Sequence, residues 1–527
     1  ASSPVVKGEV VDLEGVEFGE NVFIENRSGE RVSFAEMGGE FFPRTPDGRP
    51  LIEDTRVLIV KKESDATAGT SSPITQRGAF ARNLVFAVGL GILTCVSGCP
   101  GPTTPPTEIN IEVPISVKDV LNWMRSQQDS HTGLVESYDN TTDSILWNQA
   151  STYDQALAVI TNIQGGDINS ARKIMDFFVQ NWDSTHGFVN FYVTSTGLPG
   201  IQKALAKHQG SRVHSGPNLW IGIAAAASYE ATGDVRYLNL AIEISTWAAK
   251  VVSHDATGGI VMGPQDDTVP WTKIYPTEPN LDYAAILQKL LAKQDKLMTA
   301  EKDLFEAELA SVKKSIKVRY NPKTGILDRG LNDATKALDA TTFFVLTFGP
   351  QVIQDEFGID PDQLIAKAEE YFGVTVAVPG IQGTVSGFDF TDPDFRGPVV
   401  WFEGTGQMTA VYEVMARWHE TLGHDKMAAN YRVKKDFYKT QIDKVKREYP
   451  DGRDAVPYAS AGHIQNFVDG WYTPSDGPDG KLAVSVSGSS WRVIFDGTYN
   501  PMAAKEKPAS SPVGEVKEFS RSLPQYE

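Results

Sequence analysis

The sequence predicts a mainly α-helical protein: an (α/α)6 toroid of six helical hairpins, preceded by a small β-rich N-terminal region. Two observations support this fold class. From about residue 115 onwards, apolar residues recur at i, i+3 and i+4, which is the helical period. The helices also alternate between an amphipathic, charged kind and a kind that is apolar along its body. A helix that is apolar on all sides is buried on all sides, so the alternation fits an inner ring inside an outer ring.

Composition restricts the function before any motif is considered. The chain has 527 residues, with 49 Lys and Arg against 67 Asp and Glu, and a formal net charge of −18. The acidic balance argues against a nucleic-acid partner, because phosphate binding requires Lys and Arg on one face. The two cysteines, Cys95 and Cys99, are too few for a disulfide scaffold or a zinc ribbon.

The N-terminal part contains two predicted regions. Residues 1–63 are predicted to be a small β-rich region, since short runs of Val, Ile and Phe alternate with glycines. Residues 64–114 are predicted to be a linker that contains an apolar segment at 84–99, followed by a Pro/Thr-rich tether. The apolar run 84–96 is shorter than the ~20 residues of a membrane span and has the length of a secretion-signal core.

This apolar run has the flanks of a bacterial lipoprotein signal. Arg77 and Arg82 precede it, and Val96-Ser97-Gly98-Cys99 follows. The pattern predicts a lipid anchor at Cys99 and therefore a membrane-anchored, extracytoplasmic protein in the periplasm or at the cell surface. About 75 residues precede the signal. Three interpretations stay open: a fused or mis-assigned upstream extension, an uncleaved anchor, and a buried core segment.

Twelve helices are predicted within a toroid that covers 115–505, and 506–527 form a C-terminal tail. A helical solenoid is the alternative, but solenoids repeat with a period of ~34–47 residues and these hairpins vary in length. The predicted helices are 115–128, 151–164, 167–182, 216–232, 234–252, 279–294, 299–318, 335–347, 361–373, 403–421, 425–447 and 488–497.

The starts of the inner helices carry clusters of aromatic, carboxylate and amide side chains. All inner helices of a toroid run in the same direction, so their N-termini meet at one mouth. Aromatic faces stack on sugar rings and polar side chains bind hydroxyl groups, so the clusters indicate a carbohydrate cleft with room for a catalytic carboxylate pair. The alternative for each single residue is a helix cap or a contact with the helix dipole. Capping does not require the aromatic residues.

Four of these stretches resemble bacterial secreted (α/α)6-toroid proteins of the six-hairpin glycosidase type: 150–157, 216–220, 277–283 and 400–408, together with the ending 490–501. The resemblance covers about 115–503. It implies a sugar pocket but leaves the reaction open, because toroids include hydrolases, phosphorylases, polysaccharide lyases and sugar epimerases. One position departs from the pattern. Pro279 stands in the motif Thr-Glu-x-Asn-Leu-Asp where the resemblance implies a His, and any substrate contact that this His makes in the family is lost here.

Glu403 and Asp154 are the predicted catalytic carboxylates, with Glu278 third. The first two each follow an aromatic residue and precede an apolar helix body. One would donate a proton to the leaving oxygen, and the other would activate water or attack the sugar. Asp282, one turn into its helix, is interpreted as structural. The predicted substrate-binding residues are Glu136, Trp147, Tyr153, His214, Asn218, Trp220, Asn280, Asp339, Trp401, Gln407, Trp491 and Arg492.

The sequence thus predicts an extracytoplasmic glycoside hydrolase that acts on an oligo- or polysaccharide and uses neither cofactor nor metal. A glycan-binding or structural cell-surface toroid without catalysis is the first alternative. A polysaccharide lyase or sugar epimerase is the second, with His214 or Tyr153 as the base. Two acidic loops, 139–143 and 474–480, have carboxylates that could coordinate calcium, but they are predicted to form Asx turns instead.

Overall fold

The computed structural model describes residues 22–26, 31–33, 55–59, 116–200, 212–264, 274–392, 397–462, 471–496 and 499–504. The chain divides into two compact units, Ala1–Met37 with Phe41–Ile111 and Gly38–Glu40 with Glu112–Glu527. The predicted linker, including the apolar segment 84–99 with Cys99, and the predicted tail 506–527 lie outside the described residues. No helix in the described ranges is long and apolar enough to cross a membrane.

The first unit contains an antiparallel three-stranded sheet, which confirms the predicted β-rich region for these residues. The central strand β1 pairs with both other strands, so the order is β2-β1-β3. Ile24 faces Val32 on one side and Val57 on the other. The strands are β1 Val22–Asn26, β2 Arg31–Ser33 and β3 Thr55–Ile59.

The described part of the second unit contains twelve α-helices, as predicted. The largest error is the end of the eighth helix, predicted at 347 and observed at Val352, because the helix continues beyond a kink at Gly349. The helices are α1 Val117–Gln127, α2 Thr152–Gln164, α3 Ile168–Gln180, α4 Ser215–Thr232, α5 Val235–Lys250, α6 Glu278–Leu291, α7 Thr299–Arg319, α8 Leu338–Val352, α9 Pro361–Phe372, α10 Phe402–Thr421, α11 Asp425–Lys444 and α12 Val486–Asp496.

The even-numbered helices form a closed ring. Each packs on the next, from α2 through α4, α6, α8 and α10 to α12, and α12 packs back on α2. The odd-numbered helices lie outside and pack on their inner neighbours. An open solenoid would not bring its last inner helix to its first, so the ring contacts confirm the toroid.

The burial pattern follows the predicted alternation. Residues 219–227 of the inner helix α4 are all buried. In the outer helix α3, Ile174, Met175 and Phe178 are buried whereas Arg172 and Lys173 are exposed. Burying apolar surface stabilises the folded state by roughly 25 cal/mol per Å², so the inner ring is the main source of stability.

Short antiparallel strands connect the helices. One pair, β4 with β16, joins the beginning of the toroid to its end through Tyr138 opposite Ser485. The strands are β4 Tyr138–Asp139, β5 Gln149–Ser151, β6 Phe191–Val193, β7 Val252–His254, β8 Ile260–Pro264, β9 Tyr320–Asn321, β10 Ile326–Gly330, β11 Asp333–Lys336, β12 Gly373–Ala377, β13 Thr384–Phe388, β14 Arg447–Glu448, β15 Asp454–Ala455 and β16 Val484–Ser485.

Three inner helices use one buried amide each to hold the preceding chain segment. The amide oxygen accepts a backbone N–H, and the amide nitrogen donates to the carbonyl of the same residue, at 2.7–2.9 Å. The same kind of contact recurs around the ring, so it is a property of the fold. The pairs are Gln155 with Val135, Asn218 with Phe188, and Asn280 with Ile260.

These contacts correct two predictions. Asn218 and Asn280 were expected to bind substrate, but both are fully buried and their donors and acceptors are used by backbone groups.

Arg492 is a third correction. Its guanidinium pairs with Asp443 at 2.7 Å and with Asp496 at 2.7 Å, so it holds α12 against the outer helix α11.

The opposite end of the ring is covered by the segment 499–504. The Asn500 side chain donates to the Leu346 carbonyl at 2.6 Å, and the buried Lys289 amine donates to the Ala503 carbonyl at 2.9 Å. Met502 is fully buried. The segment therefore packs across the C-terminal halves of α6 and α8.

We expect Asn280→Ala to lower the free energy of unfolding by about 2–4 kcal/mol, because it leaves the Ile260 amide and carbonyl buried without partners. Chemical denaturation followed by tryptophan fluorescence measures this. Asn239→Ala, at an exposed position of α5, is the control and should change stability by less than about 0.5 kcal/mol. Unchanged stability combined with weaker sugar binding would return Asn280 to the substrate site.

Candidate functional site

Five carboxyl groups lie at the starts of the inner helices: Asp154 in α2, Glu278 and Asp282 in α6, Asp339 in α8 and Glu403 in α10. Asp154 is 3 % exposed, Glu403 4 % and Asp282 0 %. None of the five forms a salt bridge with a described Lys, Arg or His. A buried carboxylate without a counter-ion is costly, so this cluster needs an explanation other than stability.

Helix capping does not provide that explanation. The outer helices α1, α3, α5 and α9 begin with a side chain that accepts a backbone N–H, from Ser116, Asp167, Asp234 and Asp360. The inner helices α2, α4, α6, α8 and α10 have no such hydrogen bond at the capping position. The five carboxyl groups lie inside the first turns and not at the capping positions. Asp339 accepts a backbone N–H there, from Ala340 at 2.7 Å, and capping does not account for the rest of the cluster.

Glu403 receives several hydrogen bonds. The Tyr153 hydroxyl donates to Oε1 at 2.5 Å and the Gln407 amide donates to the same oxygen at 3.3 Å. The Thr342 hydroxyl donates to the Gln407 oxygen at 2.7 Å and orients that amide. Burial nevertheless raises the pKa of Glu403 to about 8, against the opposing effect of hydrogen bonds from Tyr153 and Ser487.

Asp154 interacts electrostatically with Glu403. Burial raises the pKa of Asp154 to about 7, although a hydrogen bond from Ser137 lowers it. The Asp154 charge in turn contributes to raising the pKa of Glu403. Two carboxyl groups that interact in this way cannot both ionise easily, so the pair retains a proton at neutral pH.

Glu278, Asp282 and Asp339 form the adjacent part of the cluster. Burial and the Asp339 and Glu403 charges raise the pKa of Glu278 well above its usual range. Burial raises the pKa of Asp339 to about 6. A Cβ at Gly216 would lie 3.5 Å from Asp282 Oδ2 and 3.8 Å from Glu278 Oε1. The glycine therefore borders both carboxyl groups.

Asp282 differs from the structural role that its sequence position suggested. Neither of its oxygens has a hydrogen-bond partner among the described residues. The Trp220 indole N–H faces it without forming a hydrogen bond of normal geometry. Burial, followed by the Glu278 and Asp339 charges, raises the pKa of Asp282 well above its usual range. Burial therefore favours the protonated form of Asp282.

Aromatic rings pack beneath the carboxyl groups. Trp220 lies 5.3 Å from Tyr153, 5.5 Å from Phe343 and 6.2 Å from Trp491 between ring centroids. Trp220 and Trp491 are fully buried. They form the apolar floor of the mouth.

This burial corrects the prediction that Trp220, Trp401 and Trp491 stack on substrate. Trp401 is also buried and packs on Phe390 and Trp471. Of the predicted tryptophans only Trp147 is exposed. The sequence placed these tryptophans at the starts of the inner helices, but it did not show how deeply their rings are buried.

Two further predicted residues lie at the mouth. His214 precedes α4 and its Nδ1 lies 2.9 Å from the Asn190 amide nitrogen. Burial lowers the pKa of His214 to about 4, so the imidazole is neutral at pH 7. Glu136 is half-buried and accepts the Asn148 backbone N–H at 2.5 Å, which places it beside the exposed Trp147.

Sequence reasoning did not select several members of the site: Ser137, Tyr138, Phe343, Tyr458 and Ser487. Tyr138 and Tyr458 face each other with ring centroids 5.8 Å apart, and the Asp154 and Glu403 charges raise the pKa values of both. They lie in strands and loops before inner helices, outside the helical pattern. The Ser137-Tyr138 pair directly follows Glu136 and was the one available signal.

The substitution at Pro279 has a local explanation. Proline occupies the first turn of α6, where its missing N–H is not required for a helical hydrogen bond. Its ring lies 3.4 Å from the Cβ position of Gly216. Pro279 therefore packs against the neighbouring inner helix.

No group of three or more His, Cys, Asp or Glu side chains in the described ranges is arranged to hold a metal ion. The two acidic loops bind each other instead. Asp143 accepts the Ser475 backbone N–H and hydroxyl, both at 2.7 Å, and Thr142 N–H donates to the Asp476 carbonyl. Their acidity serves a loop-to-loop contact.

Comparison with known proteins shows no matching family model and no matching curated protein sequence. Solved structures of similar fold include a glycosidase variant in complex with glucose, with 11% identity over 72% of this chain and 95% of that chain and a TM-score of 0.49. A sugar epimerase from a ruminal bacterium has 11% identity over 72% and 95%, with a TM-score of 0.46. The GH76 α-mannanase of Bacteroides thetaiotaomicron has 12% identity over 72% and 92%, with a TM-score of 0.46.

We expect Glu403→Gln and Asp154→Asn to stabilise the protein at pH 8. The folded pKa values of about 8 and 7 exceed the unfolded values of about 4, so the native state binds more protons than the unfolded state between these pH values. The free energy of unfolding of the wild type therefore falls as the pH rises from about 4 to about 8. Each amide should recover on the order of 2–4 kcal/mol at pH 8 and little at pH 4.

Denaturation midpoints across this pH range test the prediction. Glu306→Gln, at an exposed position of the outer helix α7, is the matched control and should leave the pH dependence unchanged. A loss of stability in the Glu403 and Asp154 variants at every pH would identify both groups as structural.

Proposed function

We propose that this protein is a carbohydrate-active enzyme of the glycoside hydrolase type, with Glu403 as the general acid. One observation carries the proposal: buried and half-buried carboxyl groups that form no salt bridge with a described residue converge where the inner helices begin, beside buried aromatic rings. Charged groups kept in an environment that penalises them are characteristic of functional sites.

Glu403 has the protonation state that an acid requires. With a pKa of about 8 it holds its proton at pH 7. Tyr153 and Gln407 both donate to Oε1, so the proton is carried by the other oxygen. That oxygen would donate the proton to the glycosidic oxygen as the bond to the sugar carbon breaks.

Asp154 is the proposed partner carboxylate. Its pKa of about 7 leaves it partly ionised at neutral pH, while Glu403 remains protonated. It would accept a proton from the attacking water or attack the sugar carbon itself. The N-terminal dipole of α2 favours its ionised form. Glu278 is the alternative for this role, since it also interacts electrostatically with Glu403.

A screen of oligo- and polysaccharides for new reducing ends tests the proposal. We expect Glu403→Gln and Asp154→Asn to lower kcat by about 10²–10⁴, the usual contribution of a general acid or base. Glu306→Gln should retain full activity. Hydrolysis that is unchanged in both mouth variants would show that other residues catalyse the reaction.

The pH dependence provides a second readout. The rate should rise as Asp154 loses its proton near pH 7 and fall as Glu403 loses its proton near pH 8. Glu403→Gln should remove the alkaline limb from the residual activity. A profile that is flat between pH 6 and 9 would contradict the assignment of this pair.

A second candidate reaction, sugar epimerisation or elimination by a lyase, has one observation in its favour. His214 is neutral at the mouth, as a base must be. Tyr153 does not fit the same role, because burial raises its pKa well above the usual value and keeps it protonated. An isomerised or unsaturated product without hydrolysis would favour this candidate. Binding of a glycan with no product would identify a glycan-binding toroid.

We also propose that the protein is extracytoplasmic and anchored through Cys99. The support for this location is the sequence pattern alone: two arginines, a short apolar run and Val96-Ser97-Gly98-Cys99. Mass spectrometry of the protein purified from a bacterial host measures the mature N-terminus. We expect a chain that begins at lipidated Cys99, and an intact Ala1 would contradict cleavage.

A further inference from the structure

An exposed aromatic ring lies in the loop that leads into the first inner helix. Trp147 is 56% exposed, and among the tryptophans that the structure describes it is the one with an exposed ring. It lies just before β5, which leads directly into α2 and thus to Tyr153 and Asp154. Tryptophan is enriched at binding surfaces, because it combines a large apolar face with an N–H donor.

The ring is held in place rather than free. Its indole N–H donates to the Thr141 carbonyl at 3.0 Å. The next residue, Asn148, has a positive φ of 56° and is fixed on two sides. Its backbone N–H donates to Glu136 at 2.5 Å and its side-chain amide donates to the Ser195 hydroxyl at 2.8 Å.

The loop that carries Trp147 is also braced from below. The Thr141 hydroxyl donates to the Ser475 carbonyl at 2.8 Å. Asp143 accepts from Ser475 and from the Tyr472 hydroxyl. A surface that is ordered before it binds loses little conformational freedom on binding. The loop therefore presents a preorganised apolar face.

The surroundings of the ring are polar. Glu136, Asn148 and Ser195 lie next to it and offer a carboxylate, an amide and a hydroxyl. An apolar face bordered by hydrogen-bonding groups complements a pyranose ring, which has an apolar face and a rim of hydroxyl groups. Leu198, 64% exposed on the adjacent turn, makes a protein interface the competing use of this surface.

We propose that Trp147 forms an outer sugar-binding position, which stacks on a pyranose ring of an oligo- or polysaccharide whose reacting bond lies at Glu403. This inference rests on the proposed function and deepens it. The substrate is then a chain of several sugar units. On this proposal, a single sugar at the reacting position makes no contact with Trp147.

Kinetics with substrates of increasing length test the proposal. The probes are gluco- and manno-oligosaccharides of two to six units and the corresponding nitrophenyl monosaccharide glycosides. For the longer substrates, Trp147→Ala should raise KM about tenfold, the effect of losing about 1.4 kcal/mol of stacking, with kcat unchanged. For the monosaccharide glycosides neither constant should change.

Two further variants separate stacking from loop bracing. Trp147→Phe loses the hydrogen bond to Thr141 but keeps an aromatic face. It should therefore retain most of the affinity that Trp147→Ala loses. Phe437→Ala removes an exposed ring from the outer helix α11 and should leave all constants unchanged. An Ala variant that affects short and long substrates equally would overturn the outer position.

Calorimetric titration of Glu403→Gln with the same oligosaccharides separates this inference from the reaction. Affinity that rises with chain length and falls about tenfold when Trp147→Ala is added supports the outer position even if no hydrolysis is found. Equal affinity with and without Trp147 overturns it even if hydrolysis is found. The inference also fails if none of the oligosaccharides binds, or if sedimentation shows that Trp147→Ala dissociates a dimer.

Discussion

The structure depends on one constraint: the inner helices have almost no polar face. A helix such as α4, whose residues 219–227 are all buried, must be covered on every side. A closed ring surrounded by a second ring satisfies this requirement for all six helices at once. The contact of α12 with α2 is therefore required by the burial of the two helices at the ends of the ring.

Closure of the ring also explains the raised pKa values at the mouth. Because the inner helices run in one direction, their N-termini meet, and side chains of the first turns share a small, poorly solvated space. Burial raises the pKa values of Asp154, Asp339 and Glu403, whereas the hydrogen bonds and helix dipoles act in the opposite direction. Burial dominates in all three groups, although hydrogen bonds from Tyr153 and Ser487 lower the pKa of Glu403 and the Arg329 charge lowers that of Asp339. The raised pKa values lower the stability of the folded state at neutral pH, which is the cost expected of the proposed active site.

The polar residues of the inner helices divide into two sets that sequence spacing does not distinguish. Asn218 and Asn280 are in the first turn of their helices, as are Asp154 and Glu403. The amides point at neighbouring backbone and complete the hydrogen bonds of the preceding segment. The carboxyl groups point at one another. Successive side chains of a helix point about 100° apart, but local periodicity does not show which neighbouring group each side chain meets.

The sequence by itself determined the number of helices, their bounds to within a few residues at most ends and the alternation of inner and outer helices, because hydrophobic period and helix breaks are local properties. It also located Asp154, Glu278, Asp339, Glu403 and Tyr153 at one mouth. The tertiary structure decided which polar groups are left unpaired there, since partners such as Asp443 for Arg492 come from distant parts of the chain. It also decided that Trp220, Trp401 and Trp491 are buried while Trp147 is exposed. How deeply a side chain is buried, and which group it bonds, depends on the neighbouring helices that the ring brings together. The order of residues along one helix does not identify those neighbours.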